Sequence, residues 1–318
     1  MLSLVTTFKQ FVGDLKTIQL NALESWLTAN KGLEVIVVGH ETGVDEVARE
    51  YDLILVQDVK RSPSGAPYLD DLLRRAEEIA SYDYICLING DIILLSDFST
   101  AFHKALKFSN EFLMTSRRFD LPINYRIDFK EKGVDERLRV MARSSYIRKT
   151  PRGTDLFLFR RGTFSNIPPF AIGRLVWSRW FIFEGLSKGI PVIDATPILT
   201  AIHQLHGYTH IKDEAVTTAH RLGLKGYDAV VKGKEYAWNL KIGGPAAYFS
   251  EEDCNYLLTM GGPIKRTGLR YLTRYMVKYP LINKRTQNIA LQLYRSVLPS
   301  RRVRFVAKKI LFKLRILY

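Results

Sequence analysis

Apolar and polar positions fall into short blocks along the first hundred residues, and the period of the blocks switches repeatedly. "LSLVTTF" is a short apolar run ending at Thr6-Thr7. "KTIQLNALESWLTA" places Ile18, Leu20, Ala22, Leu23, Trp26 and Leu27 at helical spacing. "LEVIVVGHETG" is nearly continuous apolar chain followed by a glycine-bearing loop, and "GVDEVAREY" carries Asp45 and Glu46 where a first helical turn would lie. "LILVQDV" predicts a third strand, "RSPSGAPYL" a loop, "LDDLLRRAEEIAS" a helix and "YICLI" a fourth strand. The result is a β-α-β-α-β-α-β series. Strands without alternation are buried on both faces, as in a mainly parallel sheet flanked by helices. In such a sheet, ligands bind beyond the carboxyl ends of the strands. Thr6-Thr7, His40-Glu41, Asp58 and Asn89-Gly90-Asp91 all follow strands, so they are expected along one edge.

The middle of the chain is less regular. Residues 117–152 are rich in arginine and broken by Pro122, Gly133 and Pro151, which predicts a mobile loop around a short helix, "DERLRVMAR". "GTDLFLFRRGTF" reads as a strand. "IPPFAIGRLVWSRWFIFEGLSKG" reads as a loop entering an amphipathic helix that stops at Gly189, and "IPVIDATPILTAIHQLHGYTH" as a strand and then a histidine-bearing segment.

Composition adds two constraints. Cys86 and Cys254 have no metal-site spacing, which fits structural thiols in a reducing compartment. No secretory leader is expected, since "MLSLVTTFKQF" lacks a basic start followed by a long apolar run, and no membrane-spanning helix, since no apolar run reaches about eighteen residues. The net charge of +15 is unevenly placed: residues 255–318 hold fifteen Lys and Arg and no acid, leaving 32 basic against 32 acidic residues before them. A neutral body with a cationic tail suits an anionic partner.

The stretch "YDYICLINGDIILLSDF" then raises a chemical question, because Asp91 stands between two apolar runs. A turn capped by Asn and Asp would explain it. So would a carboxylate holding a divalent cation at the mouth of a sheet, with Gly90 letting the backbone come close. Three of the six histidines, His203, His206 and His210, cluster in eight residues, at spacings that would align them on one helix face. Asp155 opens an apolar strand, where it could bind ligand hydroxyls or act as a base. Trp177 and Trp180 read as core packing ahead of stacking on a ligand ring. Arg117, Arg118, Arg126 and Lys130 read as a solvated basic loop ahead of a phosphate site.

"SLVTTF", "IQLNALESW", "EVIVVG", "YICLINGDIIL", "GTDLFLFRRG" and "IPVIDATPILTAIHQLHGYTH", in this order over residues 1–210, resemble the GT-A glycosyltransferase fold of the family-2 kind. In that family a strand of this type ends in an Asp-X-Asp motif that binds metal and nucleotide-sugar. The resemblance implies that Thr6 and Thr7 lie beside the nucleotide, Glu41 by the base or ribose, and Arg74 near the diphosphate. Asn89 and Asp91 occupy the first and last places of the motif, and His203 or His206 completes the site with Mn or Mg. Inverting members carry a carboxylate at the start of a late helix. This chain has Ser178 there, and its nearest acid is Glu184, which leaves Asp155 or Glu184 as candidate base, or a retaining reaction, or reduced activity.

The tail "RRVRFVAKKILFKLRILY" spaces Val303, Val306, Ile310, Leu314 and Leu317 as an amphipathic helix among basic residues, the type that lies in an anionic lipid interface. The expected organisation is a GT-A-like domain over 1–212 and a helical basic region over 213–318, with residues 264–318 meeting the membrane. The expected activity is transfer from a nucleotide-diphosphate sugar to a glycan or lipid-linked hydroxyl acceptor, peripherally on the cytoplasmic face of a membrane. Nucleic acid is disfavoured for want of a base-reading module. The alternatives are a degenerate, non-catalytic binder and a sugar-nucleotide pyrophosphorylase, the second opposed by the single glycine in "TTFKQFVGD". A dinucleotide oxidoreductase is opposed by the lack of Gly-X-Gly-X-X-Gly after the first strand.

Overall fold

The computed structural model describes residues 1–146, 152–174 and 176–206, with Glu235, Trp238, Asn239, Ile242, Leu258 and Thr259. The first hundred residues alternate as their pattern predicts: β1 (Ser3–Thr6), α1 (Gly13–Ala29), β2 (Glu34–Val38), α2 (Val44–Glu50), β3 (Ile54–Val56), α3 (Leu69–Ile79) and β4 (Tyr84–Ile88). These strands are parallel in the order β3-β2-β1-β4. Successive side chains point to opposite faces, so Leu4, Val35, Val37 and Cys86 pack under α1 and α2. Val5, Ile36, Val38 and Ile85 pack under α3. Burial on both faces is why β1, β2 and β4 lack polar alternation, whereas β3, at the sheet edge, leaves Ile54 exposed.

Beyond β4 come β5 (Ile92–Leu94), α4 (Asp97–Phe108), β6 (Leu113–Leu121), α5 (Val134–Tyr146), β7 (Arg152–Arg160), α6 (Trp177–Lys188), β8 (Val192–Asp194) and β9 (Ala201–Gln204). β7 lies antiparallel between β4 and β6, so the sheet is mixed on this side. The expected loop from 117 onward is corrected at its start: Arg117 to Leu121 belong to β6, whose register with β7 shifts between Thr115 and Arg118. That irregularity and the two arginines masked the strand's period. Phe119 and Leu121 pack with Ile93, Leu138 and Ile202 in a smaller core beneath α5. Trp177 and Trp180 are core residues, set among Phe157, Phe164, Phe170 and Phe181. Burying such a side chain contributes about 1.5–3 kcal/mol.

Described residues beyond 212 also join this body. A two-residue strand, β10 (Leu258–Thr259), pairs with β8. Glu235 forms a buried pair with Arg174 at 2.9 Å and accepts from the Ser64 backbone N–H at 2.8 Å. Asn239 closes both backbone groups of Ala171. His210 and the amphipathic segment 301–318 lie outside the described residues. Among the described residues no helix is long and apolar enough to cross a membrane.

Candidate functional site

The carboxyl ends of β1, β2 and β4 meet at one edge, where the strand order reverses between β1 and β4. Thr6 Oγ1 donates to the Ile88 carbonyl at 2.8 Å, locking the ends of β1 and β4 together. Thr6 is therefore stitching between strands. The turn after β4 is pressed against the chain leaving β1: a Cβ on Gly90 would stand 2.6 Å from Phe8 Cδ1 and 3.1 Å from the Thr7 carbonyl oxygen. Gly90 is thus required for space, and it brings Asp91 to the mouth of the sheet.

The histidine segment reaches Asp91 as a strand. Helical spacing of the three histidines is corrected here: His203 lies in β9, and His206 follows it without helix. β9 runs between β5 and β6, so His203 stands opposite Ile92 on one side and Asp120 on the other. Gln204 anchors the crossing by donating to the Ile18 carbonyl at 2.8 Å and the Asp91 carbonyl at 3.2 Å. Asp91 Oδ2 then lies 3.1 Å from His206 Nε2 and 3.5 Å from His203 Nε2.

These three side chains offer ligand atoms within 4.8 Å of one another. The other carboxylate oxygen, Asp91 Oδ1, is buried with no hydrogen-bond partner among the described residues. A buried carboxylate oxygen without a partner among the described residues, beside two imidazoles, suits a divalent cation. The separations of 3.1 and 3.5 Å also match neighbouring ligands on one ion, about 3 Å apart for bonds near 2.1 Å. Burial alone would raise the Asp91 carboxyl, but hydrogen bonds and charge from His203 and His206 hold it far below the carboxylate range. Burial would likewise lower His203, yet without a cation its hydrogen bonds to Asp120 and Asp91 push it up to about 9, and a cation at Nε2 would displace that proton.

Asn89 is engaged elsewhere. Its Nδ2 donates to Asp155 Oδ1 at 3.0 Å, and its N–H to the Asp155 carbonyl at 3.0 Å. Asp155 Oδ2 also takes Arg118 Nη1 at 2.5 Å. Asp155 therefore lies beside the motif, tied to Arg118 and Asn89.

At the ends of β1 and β2 a second polar cluster forms. Gly39, with φ of 142°, leaves a hollow in which a Cβ would collide with Glu41 Oε2 and meet Arg61 Nη2 at 3.3 Å and Thr7 Oγ1 at 3.4 Å. Glu41 Oε1 and Arg61 Nη1 pair at 2.6 Å. Thr7 Oγ1, Glu41 Oε2 and Arg61 Nε and Nη2 are buried without partners among the described residues. Acceptors and donors side by side and unspent are what a ligand's polar edge requires. Lys9 follows Phe8 at the cleft mouth. Its side chain is exposed, with Asp91 and Arg174 near enough to act on its charge.

Two expected site residues stand apart. Arg74 is held on α3 by Asp71 at 2.7 Å and Glu78 at 2.6 Å. Glu184 pairs with Lys188, whose Nζ donates to the Thr163 carbonyl. Thr163 follows the end of β7 that lies beside Tyr84, the start of β4, so Glu184 belongs to the opposite end of the sheet from Asp91. Conversely, Lys9, Arg61 and Asp120 join the edge without having been singled out. Arg61 sits in a loop and Asp120 in an unrecognised strand, and neither carries a local motif.

No family model matches the chain, and no curated protein matches it. Solved structures are similar at low identity. Glucosyl-3-phosphoglycerate synthase from Mycobacterium tuberculosis, in complex with Mn2+, UDP and glucosyl-3-phosphoglycerate, is 16% identical over 65% of this chain and 73% of that chain, with a TM-score of 0.40. S. aureus TarS 1–349 is 12% identical over 88% of this chain and 81% of that chain, with a TM-score of 0.40.

Proposed function

We propose that the chain is a GT-A-type glycosyltransferase moving a sugar from a nucleoside-diphosphate sugar to a hydroxyl acceptor. The observation that carries this reading is Asp91, set between His203 and His206 with a buried oxygen unspent, at the carboxyl edge of an α/β sheet. Asp91, His203 and His206 would hold Mn or Mg, which when bound supplies the charge neutralisation that a departing diphosphate needs. Lys9 adds a positive charge at the same mouth. Thr7, Glu41 and Arg61 would take the base or ribose in their unspent polar hollow. Asp155, beside Asn89, would accept from sugar hydroxyls. Thr6 supports this edge from beneath through Ile88.

The cationic segment 255–318 supports a peripheral position on an anionic membrane surface, at about 1 kcal/mol per Lys or Arg near the lipid. That position favours a glycan or lipid-linked acceptor. Release of nucleoside diphosphate from a panel of UDP- and GDP-sugars, with Mn²⁺ and with chelator, tests the activity. Mn²⁺-dependent turnover of one donor class is expected. Binding of a nucleotide-sugar without any turnover across acceptor panels would favour a non-catalytic binder instead.

A further inference from the structure

His203 is almost wholly buried and uses both ring nitrogens. Nδ1 lies 2.9 Å from Asp120 Oδ1, and Nε2 faces Asp91. The pairing is fixed by the backbone, because Asp120 on β6 and His203 on β9 are direct partners in a parallel ladder. Asp120 is held in turn. Arg118 Nε lies 3.1 Å from its Oδ1, and Arg118 Nη1 reaches Asp155 Oδ2 at 2.5 Å. Asp155 Oδ1 accepts from Asn89 at 3.0 Å. A ladder of alternating charge thus runs from His203 through Asp120, Arg118 and Asp155 back to the turn that carries Asp91.

An imidazole that binds a cation through Nε2 must carry its proton on Nδ1, and a carboxylate fixed against Nδ1 selects that tautomer and ring orientation. We propose that Asp120 is the positioning residue of the metal site, orienting His203 so that Nε2 is presented to the cation, with Arg118, Asp155 and Asn89 holding Asp120 in place. The inference rests on the reading that Asp91, His203 and His206 hold a divalent cation. It also accounts for asparagine at position 89. An aspartate there would set a second carboxylate against Asp155, whereas the amide donates to it. Asn89 is then an anchor of the ladder, and the ligand set is one carboxylate and two imidazoles.

The test is Mn²⁺ binding to the full chain, followed by electron paramagnetic resonance of the free ion, for wild type, Asp91→Ala, Asp120→Asn and Asp120→Ala. Urea unfolding of each protein is measured in parallel. Asp120→Ala is expected to bind Mn²⁺ 10–100-fold more weakly. Asp120→Asn is expected to lose only several-fold, because its amide oxygen can still accept the Nδ1 proton. A purely structural aspartate would shift the unfolding midpoint without this graded order. Wild-type affinity in folded Asp120→Ala overturns the proposal. If the alanine variant does not fold, wild-type affinity in Asp120→Asn overturns it. If Asp91→Ala binds Mn²⁺ like wild type, the metal reading itself fails and takes the inference with it.

Discussion

Gly90→Ala is the smallest change that tests how the Asp91 turn is held. Its φ is not in the left-handed region, so the requirement is space. The added Cβ would lie 2.6 Å from Phe8 Cδ1 and 3.0 Å from Cε1, well inside ordinary contact. Phe8 cannot simply swing away. Its ring stacks on Trp26 at 6.0 Å and 13° and meets the edge of Phe11 at 5.1 Å. Trp26 is pinned by its Nε1 bond to the Ile92 carbonyl at 2.7 Å. Overpacking of this kind costs about 1–3 kcal/mol. Replacing glycine returns about 0.4–1 kcal/mol through the unfolded chain. The net expectation is a loss of about 1–2 kcal/mol, read as a lower urea midpoint at unchanged slope. Phe8→Leu removes the ring edge, so in that background the same alanine should cost about 1 kcal/mol less. A Gly90→Ala protein with the wild-type midpoint, or an equal cost in both backgrounds, would refute the close approach of Phe8 and the turn.

Other consequences follow from the same packing. Asp71 is buried at the start of α3 and accepts from the Lys60 N–H at 2.8 Å, from Arg74 and from Arg75. Burial would raise its carboxyl, but these donors hold it down to about 2. A depressed carboxyl stabilises the fold fully above its ordinary value of 3.8 and loses that contribution as pH falls through about 2. Asp71→Asn should therefore flatten the stability loss between those limits in urea titrations at stepped pH. Phe181→Ala, at the centre of the cluster of Phe157, Phe159, Phe164, Trp177 and Trp180, should cost about 3–5 kcal/mol. A chain ended at residue 212 loses Glu235 and Asn239, and with them the bonds to Ser64, Arg174 and Ala171, so its urea midpoint should fall below that of the full chain.

The parallel half of the fold was legible because β1, β2 and β4 are buried on both faces and α3 keeps one apolar stripe. The edge residues Thr7, Glu41 and Asp91 were legible because each is polar and stands within three residues of the end of an apolar run. What resisted reading was set by pairing between distant strands. Asp120 became visible only through its register with His203, 83 positions later. The histidines at spacings of 3 and 4 fit a helix equally well, until pairing with β5 and β6 drew His203 into a strand. Arg61 and Gly39 meet through a loop closure that no local pattern encodes.

Calorimetric titration of UDP and of GDP into the full chain, with Mn²⁺ and with chelator, repeated on Asp91→Ala, decides whether Asp91 holds a metal-dependent nucleotide site. One nucleotide is expected to bind, more weakly in chelator, and Asp91→Ala to bind no better than chelated wild type. Binding that is equally tight in Asp91→Ala and in chelator would contradict this expectation.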